Sequence, residues 1–184
     1  YTQVTNGAEH SSASSLITPR SGISMSYMFG ERFVEAHRLT DFGLVGNTLS
    51  GCRLEVFEKD SVDPGANGFE NSVARVKAAV DGKDALLKGI IWHQGESNGP
   101  SADYTWHLRN MVYDFRAAFG DMELPFLAGG LSTDRSYLPE DEQEASAASA
   151  RLFNSNLKNM EAELANFGYV DSEGLKLRRT EEPA

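Results

Sequence analysis

One short run, Trp92-His93-Gln94-Gly95-Glu96-Ser97-Asn98-Gly99, places an imidazole, two carboxamides, a carboxylate and a hydroxyl side by side. Polar groups buried without partners cost about 1–3 kcal/mol each, so such a cluster behind an apolar stretch needs either partners or a task. The two glycines let backbone approach a ligand closely. These residue types can orient an imidazole, donate hydrogen bonds to a developing negative charge, or attack as a nucleophile. The plain alternative is that His93 and Gln94 only satisfy the backbone of neighbouring loops. Gly95-Glu96-Ser97-Asn98-Gly99 also fits a G-x-S-x-G nucleophile elbow. That arrangement needs a histidine well downstream, and after Ser97 there is only His107, one helix away. The elbow reading is therefore set aside.

The elements around this run must position it. Residues 86–92 form the clearest strand pattern, apolar and partly β-branched, and lead straight into His93. Residues 101–119 read as a strong helix, with Ser101 as cap and Gly120 as stop. Helical spacing also runs through residues 23–37, 69–80 and 145–166. Short apolar strands are expected at 42–49, 124–128 and from Gly168 onward. The first twenty residues, with Ser11, Ser12, Ser14 and Ser15 before Pro19, read as loop, as do residues 59–68. Residues 133–144, with Glu140, Asp141, Glu142 and Glu144, read as a solvated polar loop. Strand and helix alternate, which predicts an α/β fold, three-layer α/β/α with a mainly parallel sheet. Ligand chemistry in such sheets lies beyond the carboxyl ends of strands. Two segments sit there: Ser50-Gly51-Cys52 and His93 to Ser97.

The chain has 184 residues, 40% of them hydrophobic and 24% charged, as expected for one globular domain. Seventeen basic residues against 27 acidic ones leave a formal charge of −10. Nucleic acid and anionic membrane surfaces are disfavoured partners, because both require clustered cations. No apolar run approaches the roughly 20 residues that span a bilayer. The single Cys52 and four scattered histidines show no metal-ligand spacing, and no cofactor motif is present.

Gly89-Ile90-Ile91-Trp92-His93-Gln94-Gly95-Glu96-Ser97 resembles the third conserved block of SGNH hydrolases of the sialate O-acetylesterase and carbohydrate esterase family six type. Ser50-Gly51-Cys52-Arg53-Leu54-Glu55-Val56-Phe57 resembles the second block. Ser21-Gly22-Ile23, Leu124-Pro125-Phe126 and Tyr169-Val170-Asp171-Ser172-Glu173-Gly174-Leu175 are similar to further family segments, so the resemblance covers roughly residues 20–177. It implies a flavodoxin-like esterase that removes acetyl groups from sugars, with an acetylated carbohydrate or other small ester as partner. It also implies that Gly51 N–H and the Gln94 side chain hold the oxyanion and that Glu96 orients the catalytic histidine. His93, Ser97 and Asn98 become pocket residues, and Trp92 and Trp106 are read as core. A secreted or lumenal site is favoured by the resemblance alone.

The sequence departs from the family at two blocks. No Gly-Gln-Ser-Asn precedes residue 21, and no Asp-x-x-His follows residue 177. In the second block Ser50 stands for a glycine and Arg53 for a small hydroxyl residue. The expected organisation is an arm over residues 1–20, an esterase-like domain over 21–177 and a charged tail over 178–184. Its first strand and last helix are expected to lie elsewhere. Three explanations follow: the middle of a longer esterase, a non-catalytic relative within an assembly, or a site completed by another protein chain. Each predicts that residues 1–184 alone are inactive.

Overall fold

A computed structural model of the chain describes residues 2–5, 8–10, 25–38, 42–49, 51–62 and 67–176. Expectations for residues 11–15, for Ser21-Gly22-Ile23, for Ser50 and for the tail 178–184 fall outside these residues. The chain divides into two compact units, with the division falling inside one helix.

The unit that carries the polar run comprises residues 50–69 and 87–184. Its sheet has three parallel strands, β4 (Ile90–Trp92), β5 (Phe126–Gly129) and β6 (Phe167–Val170), in the order β4-β5-β6. Helix α3 (Tyr104–Phe119) connects β4 to β5, and α4 (Glu140–Asn159) with a 3-10 turn at Met160–Ala162 connects β5 to β6. Parallel neighbours joined through helices are the α/β arrangement expected from the alternating pattern. The register aligns Ile90 with Phe126 and Phe126 with Phe167. Phe126 and Phe167 therefore stack across the strands at 5.8 Å, and Trp92 continues the row 6.4 Å from Phe126.

The core follows from helical spacing. Tyr104, Leu108, Met111, Val112 and Phe115 are all buried on α3, the i, i+4, i+7, i+8, i+11 stripe of an amphipathic helix. Gly120, at φ 72°, closes α3 in the left-handed conformation that glycine adopts freely. Trp106 is 56% exposed, which corrects its expected place in the core. It lies two residues from Tyr104, about 200° around the helix and thus off the buried stripe.

Two further expectations change. The β4 strand is three residues long rather than seven, because its ladder starts where Ile90 N–H meets the carbonyl of Pro125, and Leu86 is exposed. Proline offers no N–H to extend the pairing. The acidic run at residues 140–144 opens α4, with Glu140, Asp141 and Glu142 in its first turn, and is not a loop. Glutamate is a good helix former, and carboxylates at a helix N-terminus also meet the positive end of the macrodipole.

The other unit comprises residues 1–49 and 70–86. Here β1 (Thr2–Thr5) pairs antiparallel with β2 (Ala8–His10) and parallel with β3 (Gly43–Val45). The N-terminal residues are thus partly strand, where loop was expected from the serine-rich stretch that follows them. Helix α1 (Met25–His37) carries Phe29 and Phe33, which stack at 5.5 Å, and Phe33 lies 5.0 Å from Phe42. Helix α2 (Gly68–Val80) begins in the first unit and continues in the second. Arg75 on α2 donates to the carbonyl of Gly46 at 2.9 Å, just beyond β3.

Candidate active site

The polar run leaves β4 at Trp92 and turns immediately. Asn98 N–H and Gly99 N–H both donate to the carbonyl of Gly95, at 3.1 and 2.8 Å. Gly95 has φ 155°, and a Cβ placed there would sit 2.3 Å from Cζ of Phe153 on α4. Glycine is the residue that lets the turn lie flat against that ring.

Tyr104, at the start of α3, holds the turn from beneath. Its hydroxyl donates to the carbonyl of Gln94 at 2.8 Å and accepts from Trp92 Nε1 at 3.2 Å. Burial pushes the Tyr104 hydroxyl far above the ordinary tyrosine range. The Trp92 hydrogen bond opposes this, and the charges of Glu96 and Glu55 add to it. Tyr104→Phe is expected to cost about 2 kcal/mol, because an indole N–H and a carbonyl are then left in a buried setting with no partner. Urea unfolding of the variant measures this, and a loss below about 0.5 kcal/mol would show that water replaces the hydroxyl.

The second loop approaches from the other side. After Gly51, whose φ is 68°, the chain forms a 3-10 turn at Leu54–Phe57. Gly51 is exposed, and its N–H donates to no group among the described residues. Leu54, Val56 and Phe57 are buried, and Phe57 meets Trp92 edge-on at 5.1 Å. This apolar contact brings the two loops together.

Their polar groups then interlock. Asn98 Oδ1 accepts from Leu54 N–H at 2.9 Å and from Gln94 Nε2 at 2.8 Å. Asn98 Nδ2 donates to Glu55 Oε2 at 2.9 Å, and Gln94 Nε2 also donates to the carbonyl of Cys52 at 3.2 Å. Arg53 donates to the other Glu55 oxygen at 2.7 Å. Partial burial works against the Glu55 charge. Hydrogen bonds from Asn98 and from its own backbone, with the Arg53 guanidinium, outweigh that and hold the carboxyl below its usual range.

Gln94 is 9% exposed, and its Oε1 has no hydrogen-bond partner among the described residues. Both hydrogens of its Nε2 are engaged, so the side chain that the resemblance casts as an oxyanion donor presents an acceptor. Glu96 is exposed and lies 3.8 Å from His93 Nε2. His93 Nδ1 is 3.4 Å from the carbonyl of Gly129 at the end of β5. Ser97 is exposed and its hydroxyl meets no partner among the described residues. Among the described side chains none of the histidines, His37, His93 or His107, takes a serine hydroxyl, and His107 Nδ1 contacts the Glu58 carboxylate.

The structure thus brings Gln94, Asn98 and the Gly51–Cys52 turn into one cluster and places His93 and Glu96 at its exposed edge. Glu55 and Tyr104 belong to the cluster and were not singled out from sequence. Glu55 lay in plain view within the second block, but its partner Asn98 is 43 residues away.

Comparison with known proteins gives the family. The chain matches the family model described as carbohydrate esterase, sialic acid-specific acetylesterase, over residues 4–182, and belongs to that family. No curated protein sequence matches. Among solved structures it is similar to a protein from Arabidopsis thaliana, with a TM-score of 0.58 and 22% identity, over 81% of this chain and 57% of that one. It is also similar to a carbohydrate acetylesterase from Xanthomonas citri, with a TM-score of 0.57 and 19% identity, over 79% of this chain and 33% of that one. These two likenesses concern the fold, and the chain spans little more than half of the first protein and a third of the second. The expected family and the α/β class both hold. Among the described residues no helix is long and apolar enough to cross a membrane.

Proposed function

We propose that the protein carrying this chain is a serine esterase that removes acetyl groups from carbohydrates, O-acetylated sialic acids among them. The single observation that carries this reading is the two-loop cluster: Gly51, an exposed residue whose N–H donates to no group among the described residues, beside a turn tied to Gln94 and Asn98. A backbone N–H fixed in place needs no reorganisation when negative charge develops on the carbonyl oxygen of an ester, which is what makes an oxyanion hole effective. In this reading Gly51 N–H donates to that oxygen, and Gln94 holds the Cys52 carbonyl and so the direction of the turn. Glu96 orients the catalytic imidazole and stabilises its protonated form, the third-member role in a triad. The described side chains include no serine hydroxyl held by an imidazole, so in this reading the attacking serine and its imidazole lie outside the described residues. A non-catalytic subunit is the second reading, favoured by the engagement of His93 and His107 with carboxylates rather than a serine.

The test is hydrolysis of 4-nitrophenyl acetate and of an O-acetylated sialic acid by the full natural protein. Turnover is expected, and it should fall at least about tenfold in Gln94→Ala, which frees the turn that aims the Gly51 N–H, and in Glu96→Ala, which removes the group that orients the base. A folded natural protein without turnover would favour the subunit reading. Hydrolysis by residues 1–184 that disappears in Ser97→Ala would assign the nucleophile to the polar run itself.

A further inference from the structure

Resting on that reading, we infer that Glu55, acting through Asn98, is a positioning residue that decides which end of the Gln94 carboxamide faces the site.

The polarity of the hydrogen bonds admits one arrangement. Asn98 Oδ1 faces two donors, Leu54 N–H and Gln94 Nε2, while Asn98 Nδ2 faces a carboxylate oxygen of Glu55. Turning the Asn98 amide over would set its N–H groups against two N–H donors and its oxygen against a carboxylate. A carboxylate only accepts and the Leu54 N–H only donates, so Glu55 holds one end of the Asn98 amide and the backbone holds the other. Arg53 at 2.7 Å and the depressed pKa of Glu55 keep that charge in place. With Asn98 fixed, the Gln94 amide is fixed in turn. Its nitrogen lies between two acceptors, Asn98 Oδ1 and the Cys52 carbonyl, and its oxygen is directed elsewhere. That oxygen, Gln94 Oε1, is the one buried side-chain polar atom among the described residues without a partner. Glu55 sits two steps away from it, and among the described residues its side chain accepts from Arg53 and Asn98 rather than from Gln94.

The inference predicts that Asn98 and Glu55 can be exchanged in polarity but not broken singly. Asn98→Asp sets two carboxylates against each other and should release Gln94. In Asn98→Asp combined with Glu55→Gln, the new glutamine amide donates to the new aspartate, which still accepts from Leu54 and Gln94. Acetyl-ester hydrolysis by the full natural protein should show kcat reduced about tenfold in Asn98→Asp, with KM altered less than about twofold, and largely restored in the double variant. Glu55→Ala should also lower kcat while leaving the fold intact. A structural role alone would lower thermal stability without this reversal. The second measurement is independent of activity: hydrogen exchange of the Gln94 side-chain amide, identified by its loss in Gln94→Ala. Exchange should be slow in the parent, fast in Asn98→Asp and in Glu55→Ala, and slow again in the double variant. A double variant no better than Asn98→Asp overturns the inference, as does unchanged Gln94 exchange in Glu55→Ala. Absence of hydrolysis by the parent would overturn the proposed function, and the exchange data would still decide the role of Glu55.

Discussion

Gly95→Ala is expected to destabilise the protein by about 3–5 kcal/mol. Two independent penalties add. The methyl group would sit 2.3 Å from Phe153 Cζ and 2.8 Å from both Cε atoms, so the ring or the turn must move. Overpacking of this kind costs about 1–3 kcal/mol. The residue also has φ 155°, where a side chain is strained by about another 1–3 kcal/mol. Phe153 cannot easily yield, because it is 2% exposed and packs edge-on against Tyr104 at 4.7 Å, the same tyrosine that supports the turn from below. The damage therefore returns to the site. Urea denaturation of Gly95→Ala, alone and combined with Phe153→Leu, separates the two penalties. Phe153→Leu should recover the steric part and leave the backbone part. If Gly95→Ala lost less than about 1 kcal/mol, the close seating of this turn on α4 would be disproved.

The second large effect lies at the opposite end of the sheet. Arg116, on the last turn of α3, is 2% exposed and has no carboxylate partner among the described residues. Its Nε donates to the carbonyl of Leu124 at 3.0 Å, and a terminal nitrogen donates to the carbonyl of Ala165 at 2.6 Å. Each carbonyl lies two residues ahead of the first residue of a strand, Phe126 of β5 and Phe167 of β6. One guanidinium thus fixes the entry of both strands and the stacking of Phe126 on Phe167. Hydrogen bonds from a charged donor contribute about 1.5–3 kcal/mol each. Arg116→Met, which keeps much of the volume, should lose about 3 kcal/mol or more. Arg116→Lys should recover only part of it, because one ammonium cannot fork to two carbonyls as a planar guanidinium does. Equal stability of the lysine variant and the parent would contradict this account.

Much of the fold was legible because its signals are local. Periodicity located α3 and the parallel strands, and the run of polar groups after Trp92 announced the site. What escaped depended on geometry that a linear reading does not weigh. Trp106 looked like core by type, and only the angular position of the buried stripe on α3 puts it outside. The acidic run before residue 145 looked like a solvated loop by composition, whereas the helix dipole makes it a good first turn. At the N-terminus the serine run outweighed Thr2-Gln3-Val4-Thr5, a β-prone stretch followed by Asn6-Gly7, the dipeptide most typical of a hairpin. In the site, family likeness pointed to Gly51, Gln94 and Glu96 by type. It could not reveal that the Gln94 nitrogen is already committed to Cys52 and Asn98, because those bonds join residues up to 42 positions apart. Chemistry-bearing residue types were visible; the direction of each hydrogen bond was not.

At Leu131, just beyond β5, the partner of the backbone is a side chain rather than a strand. Asn154 on α4 accepts from Leu131 N–H at 2.7 Å and donates to its carbonyl at 2.8 Å, while the Ser172 hydroxyl, past β6, donates to the same carbonyl. A carboxamide has the donor and acceptor of a peptide group, so α4 contributes a single rung to the ladder. The exits of β5 and β6 are consequently tied to a helix 20 residues long, and local opening of one carries the others with it. Fluctuations that expose the end of this sheet must therefore lift α4 as well, and with it Phe153, whose ring is the floor under Gly95.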